Sequence, residues 1–356
     1  MAQYERRFAL RPTEDAAMLI EVERLTKQFE RRRPSRRPWD VLTRRSVPAP
    51  DSVIAVDDVT LGVSAGEVYG LLGPNGAGKT TMARMLATLL EPTAGTARIG
   101  GYDTQRDGGA VRARIGVMFA GERGVYWRLT GRENLEIFGR LQFMLGQLIQ
   151  ERSAALLEQL GLAERADDLV ETYSTGMKQR LNLARTLLHD PPVLLLDEPT
   201  AALDPAAARA TRELIRTLQG AGKAVLLTTH NMHEADEVCD RVGIIDHGRL
   251  VAEDRPAALI ASAGVEPRLE LQLHGDAAAA RQILGADALW WGDVQGDGGI
   301  AVAVSAPGGW QSAERIAASL KAAGVTVIES RLREATLEDA FIKLTGSRLG
   351  GSLESI

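Results

Sequence analysis

Gly73-Pro74-Asn75-Gly76-Ala77-Gly78-Lys79-Thr80 satisfies GxxxxGK[ST], between the apolar run Val68–Leu72 and a stretch of helical spacing. Glycines there let successive backbone N–H groups turn inward around a phosphate, where side chains would block the approach. The following helix points its positive end at the same anion. Lys79 can reach β/γ oxygens, and the Thr80 hydroxyl can ligate Mg²⁺. Asp197 closes the apolar run Val193–Leu196, and Glu198 follows it directly. An Asp there can hold Mg²⁺, and the adjacent Glu can take a proton from an attacking water. His230 follows Val225–Thr228 and should emerge at the edge of the sheet where ligands of open α/β sheets sit, within reach of a γ-phosphate. His230, His233 and Glu234 could also suggest a metal site, but no further ligand set accompanies them. A P-loop alone does not separate a kinase, a GTPase and an ATPase.

The elements that must position these groups are legible as periodicity. Leu19–Phe29 and Val53–Val63 read as strands, and Val68–Leu72, Val193–Leu196, Val225–Thr228 and Val242–Ile245 as buried ones. Met82, Met85, Leu86, Leu89 and Leu90 recur at helical spacing up to Pro92. Asn134–Leu145 and Ala154–Leu160 read as helical, and Leu181, Ala184, Leu187 and Leu188 line one face of another helix. Strands alternating with helices predict an α/β fold around a mainly parallel sheet. A second, small α+β unit is expected over residues 265–346. Its strands lie at Leu269–Leu273, Ile300–Val304 and Val325–Val327, with helices at about 277–284 and 311–323. A last helix opens at Thr336-Leu-Glu-Asp339 with capping-box spacing. Seven arginines and three prolines lie between Glu30 and Pro50, which predicts an exposed, arginine-rich insertion over 30–52. Contact of that insertion with anionic lipid headgroups is the sharper expectation.

Taken together, Gly73–Thr80, Tyr173-Ser-Thr-Gly-Met-Lys-Gln179, Leu194-Leu-Leu-Asp-Glu-Pro-Thr200, Ala202-Leu-Asp204 and Thr229-His230 resemble the ABC transporter nucleotide-binding domain across about residues 19–255. Ser174 and Gly176 fall on the family's signature, here S-T-G-M-K rather than the commoner S-G-G-Q. The variant, with the C-terminal run Ala335–Gly346, is similar to the branch serving drug, antibiotic, polysaccharide and lipid exporters. The resemblance implies an ABC-type P-loop NTPase fold with a helical subdomain over about 122–175. It implies an ATPase that acts on a separate integral-membrane permease, peripherally at the cytoplasmic face of the cell membrane. It also implies a head-to-tail dimer, a homodimer with a heterodimer as the alternative, in which each ATP lies between one P-loop and the other copy's signature helix. ATP and Mg²⁺ are the expected ligands. Gly73–Thr80 with Thr81, Ser174, Gly176 and Asp204 are the implied nucleotide contacts, with Phe29 at the position of the adenine-stacking aromatic. Glu198 is the implied base, His230 the γ-phosphate contact and Asp197 a Mg²⁺ ligand. The family places a Gln after the strand holding Ile115–Val117, and none stands here. Glu122 is the nearest substitute and a second expected Mg²⁺ contact.

Composition narrows the alternatives. The 356-residue chain is 45% hydrophobic and 25% charged with a formal net charge of −5, which gives no reason to expect nucleic acid. Its one cysteine, Cys239, excludes an internal disulfide and a thiolate metal cluster. The charged first residues, read as an extension over 1–18, have no secretory pattern, and no apolar run approaches the ~18–20 residues that span a bilayer. A tail is expected over 347–356. DNA-repair ATPases of the same class carry long coiled coils between P-loop and signature, and 95 positions (174 − 79) cannot hold one. Translation-factor members pair two such domains, and one P-loop is present here. A non-hydrolysing regulatory subunit is the remaining alternative, raised by the missing Gln.

Overall fold

The computed structural model describes residues 18–30, 52–119, 124–201, 203–294 and 299–346. The arginine-rich stretch 31–51, Glu122 and the expected tail lie outside the described residues. The described residues divide into two compact units, one up to Pro256 and one from Ala257 onward.

The first unit opens with β1 (Met18–Glu30) and β2 (Ser52–Ser64), paired antiparallel from Ile20↔Val63 to Glu30↔Ser52. β3 (Val68–Leu72) is buried throughout, as a strand covered on both faces must be, and the P-loop and α1 (Lys79–Leu86) follow it. β4 (Ala94–Ile99) pairs with β1, and the short β5 (Tyr102–Asp103) with β4. Helix α2 (Gly108–Arg112) precedes β6 (Ile115–Met118). Helices α3 (Gly131–Leu141) and α4 (Gly146–Gln159) then form an arm that packs on α5 (Thr175–Leu187). β7 (Val193–Asp197), α6 (Pro205–Gly220), β8 (Ala224–Thr229), α7 (Met232–Val238), β9 (Arg241–Asp246) and β10 (Arg249–Asp254) complete the unit.

Six strands lie in the order β10-β9-β3-β8-β7-β6, parallel except for β10. The expected parallel sheet is therefore present. A second sheet, antiparallel and ordered β2-β1-β4-β5, packs against it through a core shared by Leu25, Val59, Met82, Leu86, Leu195 and Leu226. α6 and α7 lie against β3 and β8.

The structure departs from the local periodicity in several places. Helix α1 ends at Leu86 rather than running through Leu89 and Leu90 to Pro92, because Thr88 turns the chain left-handed at φ 60. Helicity does not run from Asn134 to Leu145: α3 ends at Leu141, and Phe143 adopts φ 58 with 82% of its surface exposed. The apolar spacing continues through Phe143 and Met144, but a left-handed residue turns the chain before α4. The alternation in β1 is broken by a register shift between Val22 and Leu25. Arg24 (φ 50) and Asp58 (φ 53) stand at that irregularity and are joined by an ion pair of 3.0 Å.

The second unit takes in α8 (Pro256–Ser262) beyond its first residue. It then runs β11 (Arg268–His274), α9 (Ala277–Leu284), β12 (Ala288–Val294), β13 (Gly299–Ser305), α10 (Trp310–Ala322), β14 (Thr326–Arg333) and α11 (Leu337–Thr345). The antiparallel order β12-β13-β11-β14 makes this a β-α-β-β-α-β unit of split βαβ type. Leu269, Leu271, Leu273, Val302, Val304 and Leu320 form its core. The capping box at the head of α11 is formed, with Thr336 accepting from the Asp339 N–H and Asp339 accepting from the Thr336 N–H.

Candidate active site

Close packing fixes the P-loop before any ligand is considered. A Cβ at Gly73 would stand 2.2 Å from the Ile245 carbonyl oxygen. Gly78 has φ +110, and a Cβ there would meet the Ala55 carbonyl at 2.2 Å. No other residue type fits either position. Gly78 caps α1 with no side-chain hydrogen bond, leaving the first N–H groups of the helix directed into the loop. Lys79 is 5% exposed, and its ammonium donates to the carbonyls of Gly73 (2.6 Å) and Pro74 (3.1 Å). Burial lowers its pKa, against the pull of Glu198 and Asp197, which raise it.

The second group of residues comes from the ends of parallel strands. Asp197, buried at the end of β7, accepts from Thr80 Oγ1 at 3.0 and 3.2 Å and from the Thr228 hydroxyl of β8. P-loop helix and strand end thus converge on one cluster of oxygens. Glu198 follows in a left-handed conformation, φ 53, and its Oε1 accepts from His230 Nδ1 at 2.8 Å. A cleft of about 280 Å³ opens there, lined by Glu198, Thr200, Thr229, His230, Asn231 and Glu234. Glu234 turns inward and accepts from Thr200 Oγ1 at 2.7 Å. Burial raises its pKa, while hydrogen bonds from Thr229 and Thr200 oppose the shift. His233 faces Glu237 at 3.6 Å instead.

A further constellation heads α5. Ser174 is its N-cap, accepting from the Met177 N–H at 3.2 Å. A Cβ at Gly176 would touch nothing nearer than Leu203 Cδ2, at 3.4 Å.

The comparisons with known proteins fit this geometry. The ABC transporter family profile matches residues 56–201. The daunorubicin/doxorubicin resistance ATP-binding protein DrrA of Streptomyces peucetius is 46% identical over 236 residues, 65% of this chain and 71% of that protein. The Nod factor export ATP-binding protein I of Burkholderia lata is 41% identical over 298 residues, 83% of this chain and 93% of that one. This chain belongs to the ABC transporter family. Among solved structures it is similar to the ATP-binding cassette MJ0796, dimeric in a post-hydrolysis state with ADP and Pi. That likeness has a TM-score of 0.57 and 25% identity, and covers 67% of this chain and 98% of the other.

The cassette is therefore an ATP-binding ATPase of the P-loop NTPase fold. No helix among its described residues is long and apolar enough to cross a membrane.

Of the sequence-marked residues, Thr80 of the P-loop helix meets Asp197, the adjacent Glu198 meets His230, and Lys79 bonds the P-loop's own carbonyls. Phe29 lies at the far end of β1, opposite Val53, 41% exposed, with Lys27 Nζ 5.2 Å from its ring centroid. Asp204 caps α6, accepting from the Ala207 N–H at 2.9 Å. Thr228, Thr200 and Gln179 were not marked in advance. Thr228 sits one residue before Thr229-His230, whereas Thr200 and Gln179 are the last residues of the motifs Leu194–Thr200 and Tyr173–Gln179, whose spacing gives them no role of their own.

Proposed function

We propose that this cassette powers export of a substrate of the drug, antibiotic, lipid or polysaccharide class through a separate integral-membrane permease, from the cytoplasmic face of the membrane. Two copies close head to tail on two ATP molecules. The observation that carries this reading is a chain holding two helix N-termini headed by small residues, α1 behind the P-loop and α5 capped by Ser174 and followed by Thr175-Gly176, each suited to an anion. The packing of its own chain does not require glycine at Gly176, since a Cβ there makes only ordinary contact. The close approach of another molecule's phosphate gives that glycine its reason. The relatives named for daunorubicin resistance and Nod factor export support the direction of transport.

Lys79 exchanges its two carbonyl partners for β/γ oxygens when the triphosphate enters. Thr80 and Asp197 offer only hard oxygen donors, a set that fits Mg²⁺, and the ion when bound would neutralise charge on the phosphates. Glu198 takes the proton of the attacking water. Its contact with His230 restricts the histidine: while a carboxylate accepts from Nδ1–H, a neutral imidazole has no hydrogen on Nε2. Once Glu198 has taken the water's proton, the half-exposed imidazole gives up its Nδ1 hydrogen to solvent and takes one from solvent at Nε2. The Glu198 O–H then donates to Nδ1, and Nε2–H is free for the γ-phosphate. Proton uptake by the base and phosphate contact by His230 are coupled in this way.

A groove of about 350 Å³ lies between the arm (Phe138, Leu141) and the β6 region (Val117, Phe119), with Arg112 and Arg185 beside it. An amphipathic cytoplasmic helix of the permease, apolar on one face and acidic at its rim, is the occupant it suits. Dimer closure then moves the arm and biases the permease between two states.

The test is the concentration dependence of ATPase activity in wild type and Gly176→Asp. Activity rising with dimer formation, and abolished by a carboxylate set against the partner's phosphate, is the expected result. Full specific activity of Gly176→Asp in a monomeric preparation refutes the sandwich.

A further inference from the structure

Helix α5 carries the Ser174 cap at its tip, and one turn beyond Thr175 it carries Gln179. The Gln179 side-chain amide donates to two successive carbonyls of the catalytic strand end, Glu198 O at 3.2 Å and Pro199 O at 2.7 Å. An amide nitrogen has two hydrogens, so this pair of acceptors satisfies it completely. The peptide it holds is the strained one, with Glu198 at φ 53. The same segment is tied elsewhere by Glu198 N–H to Thr228 O (2.9 Å), Ala201 N–H to Glu198 O (3.2 Å) and Thr200 Oγ1 to buried Glu234 (2.7 Å). Gln179 is the contact that comes from the signature helix.

We infer that Gln179 is a positioning residue for Glu198. It fixes the backbone from which the base projects and makes that backbone one rigid piece with the tip of α5. The inference rests on the assignment of Glu198 as base and of α5 as the helix that reaches the partner's ATP. Under that assignment the tip serves one nucleotide and the carboxylate serves the other. Gln179 therefore joins the two ATP sites within a single chain, a connection that a P-loop and a signature motif read separately do not suggest.

The test separates the residue's own site from its partner's. Mixed dimers are assembled from two differently tagged full-length copies. In the first, one copy carries Gln179→Leu and the other Lys79→Ala, so the working P-loop belongs to the chain lacking Gln179. In the second, one copy carries both Gln179→Leu and Lys79→Ala and the other is wild type. The working P-loop there keeps its Gln179, and only its signature helix comes from the altered chain. Loss of about 10-fold or more in kcat is expected in the first arrangement, with KM and nucleotide Kd unchanged, since a misplaced reacting group of ~1 Å costs on that order or more. The second arrangement should stay within about two-fold of its Gln179 control. Gln179→Glu, equal in shape but with oxygens facing two carbonyls, should match Gln179→Leu. Gln179→Met serves where the leucine variant folds poorly. Loss mainly in the second arrangement, in both equally, or in neither overturns the inference. Failure of the sandwich itself would show separately, as the absence of ATP-driven dimers of Glu198→Gln. In such a monomer, Gln179→Leu still tests positioning, through turnover at constant nucleotide affinity.

Discussion

Replacing Glu198 with Gln is the most informative single change, because the site predicts opposite effects on binding and on turnover. The side chain keeps its length, and the His230 contact at 2.8 Å can survive with its polarity reversed. A carboxylate can only accept from Nδ1–H, whereas the amide of Gln can donate to an unprotonated Nδ1. The reversal places the imidazole hydrogen on Nε2, the tautomer able to bond a γ-phosphate. Glu198→Gln should therefore bind ATP at least as tightly as wild type while lacking a proton acceptor. General-base catalysis contributes roughly 10²–10⁴-fold, or about 3–5 kcal/mol of barrier, and kcat should fall by that amount. Light scattering after gel filtration with ATP should show a persistent dimer, and single-turnover assays should show bound ATP uncleaved. Turnover within ten-fold of wild type would remove Glu198 from the role of base. Weakened ATP binding would refute the tautomer argument while leaving the base assignment standing.

Two further perturbations test the scaffold. His189 Nε2 lies 3.0 Å from the Ile115 carbonyl, and burial pushes its pKa down from 6.5 to about 4. Below pH 6.5 the unfolded chain takes up a proton that the folded chain refuses. Stability should thus fall as pH drops from 6.5 towards 4, by at most about 3 kcal/mol, and stay level above 6.5 for this group. Urea denaturation across that range should lose this slope in His189→Gln, and an unchanged slope would assign it to other groups. In the second unit, Thr336→Ala removes one half of the capping box that opens α11 and should cost about 1 kcal/mol. Hydrogen exchange should report faster opening of Leu337–Thr345, with steady-state ATPase kinetics as the comparison.

The readable parts of the site were those in which chemistry is written in contiguous residues. Gly73–Thr80 has its turn, its anion-facing N–H groups and its lysine within one loop, so spacing alone specifies it. Asp197-Glu198 was legible because an apolar run ends on it. The same locality explains why the Thr336–Asp339 cap could be read from sequence. What escaped was set by pairing between distant segments. β1, β2 and β4 form a sheet of their own through antiparallel partners such as Ile20↔Ile99, and no periodicity within β1 states which strand it will meet. Thr228 reaches Asp197 only because β7 and β8 lie side by side in register.

The left-handed conformation of Glu198 is the hardest feature to foresee, and it carries the most meaning. A non-glycine residue at φ 53 costs of order 1–3 kcal/mol, and glycine at this position would relieve it. Glycine, however, has no carboxylate, so the strain is the consequence of needing an acid where the chain must turn sharply off β7. The turn carries Glu198 to His230, beyond the end of β8, while its own N–H still bonds Thr228. Ties to β8, α5 and α7 then hold a conformation that the local sequence would abandon. A base fixed by three separate elements loses position when any one of them shifts. Movement of the signature helix can therefore be felt at the carboxylate without any change at the P-loop.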